Sequence, residues 1–197
     1  MKKVLGIGGS PRKGGNSDII LERLLRGAQS TDTTTETVQI RDYNIQPCLA
    51  CERCRKDGSC TGVQDGMQLL YPKIVESSGL IVVTPVYSYN MTSILKAFID
   101  RLYGMYYFSD ERPGFWKSQL ADQGRKAIIA AIGEQKDLKE GGMDLTLATL
   151  RLSIQALGYE IVGELPVLGI FPKGKVREYP EILEKADRLG KQLGASL

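Results

Sequence analysis

The sequence has no histidine, and its 197 residues include only four cysteines and one tryptophan. The missing imidazole excludes Ser-His-Asp and Cys-His hydrolases, histidine proton shuttles and histidine-containing metal sites. Long hydrophobic runs are also missing, since none approaches the ~20 apolar residues that span a bilayer. Neither sign of charge dominates, and a net charge of +3 does not indicate a nucleic-acid partner.

The amino terminus has only a brief apolar stretch, which ends in Ser10-Pro11-Arg12-Lys13 before the core of a signal peptide can form. We therefore expect a cytoplasmic protein with no membrane attachment. Its hydrophobic content of 42% suits one core, so residues 1–197 are predicted to form a single domain. In a reducing compartment, clustered cysteines are metal ligands or redox thiols rather than structural disulfides.

Short β-branched runs alternate with helical periodicity along the whole chain, which is typical of a parallel sheet with crossover helices. The predicted strands are 3–8, 36–41, 79–84, 126–132 and 160–166. Apolar stripes predict helices around Ile20 to Leu25, Met67 to Val75 and Ile94 to Leu102, and over 143–157 and 180–193. This alternation predicts a doubly wound α/β fold with a five-stranded parallel sheet in the order 2-1-3-4-5. Ligands of such sheets bind beyond the carboxyl ends of the strands.

The loop after the first strand, residues 8–17, has the composition of an anion site. Its glycines allow the backbone to approach a phosphate, Ser10 and Ser17 offer hydroxyls, and Arg12 adds a cation. Asn16 either caps the next helix or binds the phosphate. The loop lacks the Gly-Lys-Ser/Thr of a Walker loop and the third glycine of the dinucleotide fingerprint. A glycine-rich turn with an ordinary helix cap is the structural alternative.

The loop after the third strand, residues 84–92, is aromatic and stiffened by Pro85. Its backbone polar groups and the ring of Tyr87 or Tyr89 suit a flat heteroaromatic ligand, although such loops also form oligomer contacts. Thr92 or Ser93 is placed to cap the next helix. A third loop, 133–142, either closes over the same ligand or is simply solvated.

Three stretches together resemble the flavodoxin-like NADPH-dependent FMN reductase family: Gly-Ser-Pro-Arg-Lys-Gly-Gly-Asn-Ser at 9–17, Thr-Pro-Val-Tyr at 84–87 and Leu-Lys-Ala-Phe-Ile-Asp-Arg at 95–101. The resemblance implies a flavodoxin-like domain that binds FMN. It implies that Ser10, Arg12, Asn16 and Ser17 hold the phosphate and that Pro85, Val86, Tyr87 and Ser88 contact the isoalloxazine edge. The predicted FMN site also includes Lys13, Gly15, Asn90, Gly133 and Glu134. Asp100 and Arg101 are expected to be structural, because they lie beyond the ligand-facing turn of their helix.

All four cysteines lie in one loop, residues 47–60, as Cys48-x2-Cys51-x2-Cys54-x5-Cys60. Three cysteines at intervals of three, with a fourth from the following segment, are typical of a 4Fe-4S cluster in bacterial ferredoxins. Structural zinc more often uses two separated Cys-x-x-Cys pairs. Zinc and free redox thiols remain the alternatives. Arg53, Arg55 and Lys56 either offset the charge of the thiolates or are solvated.

Within the resembled family, this run followed by Asp65-Gly66-Met67 is similar to the iron-sulfur flavoproteins. The expected function is electron transfer in which FMN, coupled to the cluster, receives electrons from NAD(P)H or ferredoxin. No catalytic side chain is expected, since the flavin carries the chemistry. One alternative is an NAD(P)H-dependent FMN or quinone reductase without a cluster. An alternative of another class is a zinc-stabilised, flavin-binding interaction module.

Six aromatic residues cluster after the third predicted helix: Tyr103, Tyr106, Tyr107, Phe108, Phe115 and Trp116. Such a cluster indicates either core packing or an interface. We expect the interface of a homodimer or homotetramer that shields a neighbour's flavin or receives its cysteine loop.

Overall fold

The structure, a computed structural model, describes residues 1–197. Its strands are β1 Lys2–Gly8, β2 Thr33–Gln39, β3 Gly79–Pro85, β4 Tyr106–Phe108, β5 Trp116–Ser118, β6 Arg125–Ile132 and β7 Tyr159–Val167. Five of them form one parallel sheet in the order β2-β1-β3-β6-β7. The strands β4 and β5 form a separate antiparallel ribbon.

The predicted order 2-1-3-4-5 is corrected by this ribbon. β4 and β5 lie between β3 and β6 in the chain but outside the sheet, so the last two sheet strands are the sixth and seventh of the chain. The strand order reverses at β1, which pairs with β2 on one side and β3 on the other. The loops that leave β1 and β3 therefore diverge and open a crevice at the carboxyl edge of the sheet.

The helices are α1 Asn16–Ala28, α2 Arg53–Asp57, α3 Tyr71–Glu76, α4 Ser93–Arg101, α5 Met143–Ala156 and α6 Pro180–Ser196. Short 3-10 turns at Ile40–Asp42, Gly66–Leu69, Leu102–Met105, Glu140–Gly142 and Lys175–Glu178 join these elements. No helix combines the length and the hydropathy that a bilayer-spanning segment needs.

The core consists of two apolar layers, one on each face of the sheet. Successive strand residues point to opposite faces, so Leu80 and Val82 belong to one layer while Ile81 and Val83 belong to the other. The first layer packs against α3, α4 and α5, and the second against α1 and α6. Because both faces are covered, the central strands are continuously apolar.

Several predicted boundaries change. The second strand occupies Thr33–Gln39 rather than 36–41, and Ile40–Asp42 forms a 3-10 turn. This edge strand buries only two of its seven residues, so its sequence lacks the alternation that marks a half-buried strand. The predicted stripe from Met67 to Val75 is divided between a 3-10 turn and the short α3, and Val75 is exposed.

Candidate functional site

A cleft of about 300 Å³ lies beyond the carboxyl ends of the sheet strands. It is lined by Ser10, Arg12, Gly15, Asn16, Ser17, Pro85, Val86, Tyr87, Ser88, Ile132, Gly133, Glu134, Ile170, Phe171 and Lys173. The structure thus brings together all but two of the residues predicted for FMN. The exceptions are Lys13, which is exposed, and Asn90, which pairs with Tyr87 in a turn; neither lines the cleft.

The loop after β1 is held between β3 and α4. Gly9 donates its N–H to Val83 O at 2.8 Å, and its own carbonyl accepts the Thr92 hydroxyl at 2.6 Å. Thr92 is also the N-cap of α4, where its oxygen accepts the Leu95 N–H at 3.3 Å. One threonine therefore caps the helix after β3 and fixes the loop after β1, which sets the width of the crevice between them.

An ion pair supports the same loop from outside the cleft. Asp18, in the first turn of α1, accepts the Gly14 N–H at 2.7 Å. Arg41 donates to both carboxylate oxygens of Asp18, at 2.9 and 2.8 Å, and to the Ser10 carbonyl at 3.0 Å. Gly14 has a positive φ of 68°, which favours glycine. The shape of the loop therefore depends on Arg41, a residue that the sequence reasoning missed.

The predicted capping role of Asn16 is wrong. The N-cap of α1 is Gly15, which has no side chain to offer, and Asn16 is the first helical residue. The Asn16 amide instead donates to Pro172 O at 2.9 Å and accepts the Val176 N–H at 3.1 Å. It lines the cleft and anchors the segment after β7, whose contact with this asparagine no local pattern reveals.

Three more groups of the segment after β7 complete the wall of the cleft: Ile170, Phe171 and Lys173. The guanidinium of Arg12 lies 5.1 Å from the centre of the Phe171 ring, a cation–π distance. Ile170 donates its N–H to Gly133 O at 3.0 Å, which joins this segment to the loop after β6. Because this segment follows β7, it lies at the carboxyl edge of the sheet, where ligands of such folds bind; this position in the chain is the sequence signal for its role.

The aromatic loop makes a tight turn between Tyr87 and Asn90. Each of these two residues donates its N–H to the carbonyl of the other, at 2.7 and 3.0 Å. Ser88 and Tyr89 between them have positive φ values of 46° and 67°, a strained conformation for residues with side chains. Tyr87 lines the cleft and Tyr89 does not, so Tyr87 is the ring available to a ligand.

A second cavity, of about 390 Å³, is lined by all four cysteines. Cys51 is flanked by Ala50 and Glu52, which have left-handed φ values of 50° and 58° and turn the backbone sharply around it. A Cβ at Gly62 would lie 2.3 Å from the Cys51 sulfur, so only glycine leaves room for that thiol. No three His, Cys, Asp or Glu side chains of the chain are arranged to hold a metal ion as they stand.

Burial raises the pKa of the Cys54 thiol, and the neighbouring thiols Cys60, Cys48 and Cys51 raise it further. The other three thiols thus lie close enough to Cys54 to oppose its ionisation. Four thiols around one cavity form a donor set that suits a metal cluster, because a bound cation would remove this repulsion.

The ribbon β4–β5 carries most of the aromatic cluster to the surface. Tyr103 and Phe108 lie 4.5 Å apart between ring centres, and Tyr106 meets Trp116 edge to face at 5.3 Å. Tyr107 and Phe115 are 61% and 70% exposed. Core packing therefore holds for Tyr106, which packs against the first apolar layer, but not for the exposed Tyr107, Phe115 and Trp116. The interface stays a prediction.

The ribbon also contacts the cysteine segment. Arg55 lies over the Phe108 ring at 4.7 Å and donates to Ser109 O at 2.6 Å. Gln119 donates to Gly58 O at 2.8 Å. Two of the basic residues near the cysteines thus differ in role, since Arg55 packs on the ribbon while Lys56 is exposed.

A doubly wound sheet with an anion loop and an aromatic turn at its switch point defines a flavodoxin-like protein. The sequence pattern of the NADPH-dependent FMN reductase family matches residues 2–133, and the chain belongs to that family. Within it, the relatives place the chain in the branch called iron-sulfur flavoproteins.

Several of these relatives carry the name "Iron-sulfur flavoprotein". The one from Methanosarcina thermophila is 40% identical over 99 residues, which cover 50% of this chain and 51% of the relative, about half its length. One of those from Archaeoglobus fulgidus is 32% identical over 193 residues, which cover 97% of this chain and 78% of the relative. Among solved structures, the NAD(P)H:quinone oxidoreductase from Methanothermobacter marburgensis superposes with a TM-score of 0.73 at 16% identity over 98% of each chain, which shows a shared fold.

Proposed function

We propose that the protein is an FMN-dependent oxidoreductase that transfers electrons between NAD(P)H or ferredoxin and a 4Fe-4S cluster bound by Cys48, Cys51, Cys54 and Cys60. The observation that carries the proposal is that all four cysteines line one cavity. The chain also belongs to the FMN reductase family, and the ends of its sheet strands form a separate cleft that suits a phosphate. Membership of the iron-sulfur flavoprotein branch supports it.

The loop of residues 10–17 would hold the phosphate of FMN. Its N–H groups stand at the start of α1, where the helix dipole favours an anion. Arg12 supplies the charge on the rim, and Ser10 and Ser17 supply buried hydroxyls. Lys13 and Asn90, which do not line the cleft, are the weakest members of the predicted set.

The isoalloxazine ring would lie against the turn of residues 85–88 and beside Gly133 and Glu134, which line the same cleft. Bound FMN supplies the exchange of electrons singly or in pairs. The protein's part is to orient the ring and to exclude water, which requires no histidine. The Ser88–Tyr89 conformation, with Tyr89 packed against Gly142, would fix the backbone groups that are offered to the ring edge.

We also propose that the protein is a cytoplasmic homodimer or homotetramer. The exposed rings of the ribbon support a homodimer or homotetramer in which this surface is covered. All four cysteines are free thiols in the structure, and we propose the cytoplasm as the compartment that keeps them reduced.

Anaerobic purification followed by spectroscopy and metal analysis tests this function. We expect about one FMN per chain, about four irons with matching sulfide, and a broad absorbance that underlies the flavin bands. Flavin bands without iron would indicate instead a reductase that uses NAD(P)H and has no cluster. Stoichiometric zinc would indicate the zinc-stabilised flavin-binding module. Either of these results would reject the cluster.

A further inference from the structure

The buried side chain of Arg101, the last residue of α4, joins the two ends of the cysteine segment. Its Nη1 donates to Gln46 O at 3.0 Å and to Asp65 Oδ2 at 2.8 Å, and its Nη2 donates to Val63 O at 3.3 Å. The side chains of Arg101 and Asp65 are only 1% and 2% exposed. Since every cysteine lies between Gln46 and Val63, one guanidinium closes the base of the whole segment.

Asp65 completes this closure. The oxygen that pairs with Arg101 also accepts the Gln46 N–H, at 2.7 Å. Gln68 adds a second tie, because its amide donates to Cys60 O at 2.8 Å and to Val63 O at 3.0 Å.

The segment between these ties has no core of its own. None of residues 46–62 is buried, and α2 within it buries no side chain. Exposed segments with few apolar contacts open locally at low free-energy cost. The positions of the four thiols therefore depend on the closure at the base and on the contacts with the ribbon.

The ion pair is also oriented with respect to the thiols. Arg101 lines the cysteine cavity, whereas Asp65 does not. The positive end of the pair thus faces the sulfur atoms, and its Nε is buried without a hydrogen-bond partner. A buried cation stabilises added negative charge nearby, and the potential of an iron-sulfur cluster responds to the net charge around it.

We propose that Arg101 is a positioning residue for the iron-sulfur cluster: it closes the segment 46–63 at its base and turns its cation toward the cysteines. The closure retains the cluster, and the cation raises the reduction potential of the cluster. This inference rests on the proposed function, since it concerns the same four cysteines.

Four variants of the full chain, purified without oxygen, test the proposal. Arg101→Met removes both the closure and the charge, Arg101→Lys keeps the charge, and Asp65→Asn keeps the shape but removes the negative end. Arg151→Met is the matched control, because Arg151 pairs with Glu164 on the surface and lines neither the cleft nor the cysteine cavity. The measurements are the rate of iron loss to a chelator, the cluster midpoint potential by spectroscopic titration, and the FMN content.

We expect Arg101→Met to lose iron about tenfold faster and to have a more negative potential than the wild type, with its FMN content unchanged. Arg101→Lys should restore the potential but only part of the iron retention, since one ammonium cannot reach all three acceptors. Asp65→Asn should lose iron faster while its potential rises, because the cation is less neutralised. If Arg101→Met is recovered unfolded, the proposal is tested on Arg101→Lys and Asp65→Asn alone. Retention and potential equal to those of Arg151→Met would overturn the proposal.

A separate measurement distinguishes failure of this inference from failure of the proposed function. A wild-type chain that retains no iron would reject the cluster itself. In that case the closing of the segment by Arg101 is tested on the metal-free protein, by the rate of tryptic cleavage after Arg53 and Lys56. Faster cleavage in Arg101→Met than in Arg151→Met would support the closure, and equal rates would overturn it.

Discussion

The guanidinium of Arg41 and the carboxylate of Asp18 form a two-pronged ion pair, with N–O distances of 2.9 and 2.8 Å, beneath the loop after β1. Both side chains are largely buried. Through the bonds of Arg41 to Ser10 O and of Asp18 to the Gly14 N–H, the pair fixes two points of the loop that would bind the FMN phosphate. Neither residue needs to contact the ligand to affect how well it binds.

We predict that Arg41→Met weakens FMN binding about tenfold or more, which corresponds to about 1.4 kcal/mol. Stability should also fall by about 3 kcal/mol, because the variant leaves a largely buried carboxylate without its partner. Flavin fluorescence titration and urea denaturation measure the two effects. Arg26→Met is the control, since Arg26 pairs with Asp187 on the surface, and it should change both by much less. FMN affinity unchanged in Arg41→Met would contradict the role of the pair.

The strands at the centre of the sheet could be predicted because they are buried on both faces. The predicted strands 3–8 and 79–84 differ from β1 and β3 by one residue at one end. The bounds of the edge strand β2 were not predicted correctly, because its buried and exposed residues do not alternate along the strand. The three-residue strands β4 and β5 are too short to show a pattern.

The site was predictable where its residues are neighbours in sequence. Glycines and hydroxyls after a strand indicate an anion loop from composition alone. Composition alone does not reveal the contribution of residues 170–173, because it depends on hydrogen bonds between Asn16 and residues 156 and 160 positions away. Arg41 was missed for the same reason: its partner Asp18 lies at the start of α1, so the rest of α1 and all of β2 separate the two residues in the chain.

Gly142 supports the strained turn of the aromatic loop. It has a φ of 83°, and a Cβ there would lie 2.4 Å from Tyr89 O. We predict that Gly142→Ala lowers the free energy of unfolding by about 2–4 kcal/mol, from a left-handed alanine and from the collision with the turn. Flavin affinity should fall with it.

Gly124→Ala is the matched control for that change. Gly124 also has a positive φ, 64°, but no atom lies within 4 Å of its Cβ position. Gly124→Ala should lower the free energy of unfolding by only about 1 kcal/mol, the cost of placing an alanine in the left-handed region. Urea denaturation of both variants compares the two; equal losses would show that the contact with Tyr89 does not matter.

A carboxylate on β2 gives a predicted pH dependence. Hydrogen bonds from Lys3 and then Lys73 hold the pKa of Glu36 below its ordinary value of 4.5. A lowered pKa in the folded state means that the stabilisation is complete above about pH 5 and is lost as the pH falls through the folded value. The stability difference between wild type and Glu36→Gln, about 1 kcal/mol at pH 7, should therefore shrink toward pH 3. Urea denaturation across this range measures it.

Glu22→Gln, the same change at an exposed position on α1, is the matched control. The partner of Glu36 behaves in the opposite sense. Glu36 and then Glu76 raise the pKa of Lys3 above 10.5, against the lowering effect of burial. That contribution is complete below the ordinary value and is lost only in strong alkali. A stability difference between wild type and Glu36→Gln that stays constant from pH 7 to pH 3 would contradict the lowered pKa of Glu36.

Cys51 is the cysteine whose surroundings are most sharply defined, because Gly62 leaves space for its sulfur and left-handed residues flank it. We predict that Cys51→Ser abolishes the cluster absorbance and lowers the iron content to near zero, while FMN stays bound, since Cys51 does not line the FMN cleft. Ser59→Ala, an exposed change in the same loop, should retain both cofactors. Absorbance spectra and iron analysis of anaerobically prepared protein measure these effects. An intact cluster in Cys51→Ser would refute its role as a ligand, and loss of FMN with the cluster would refute the independence of the two sites.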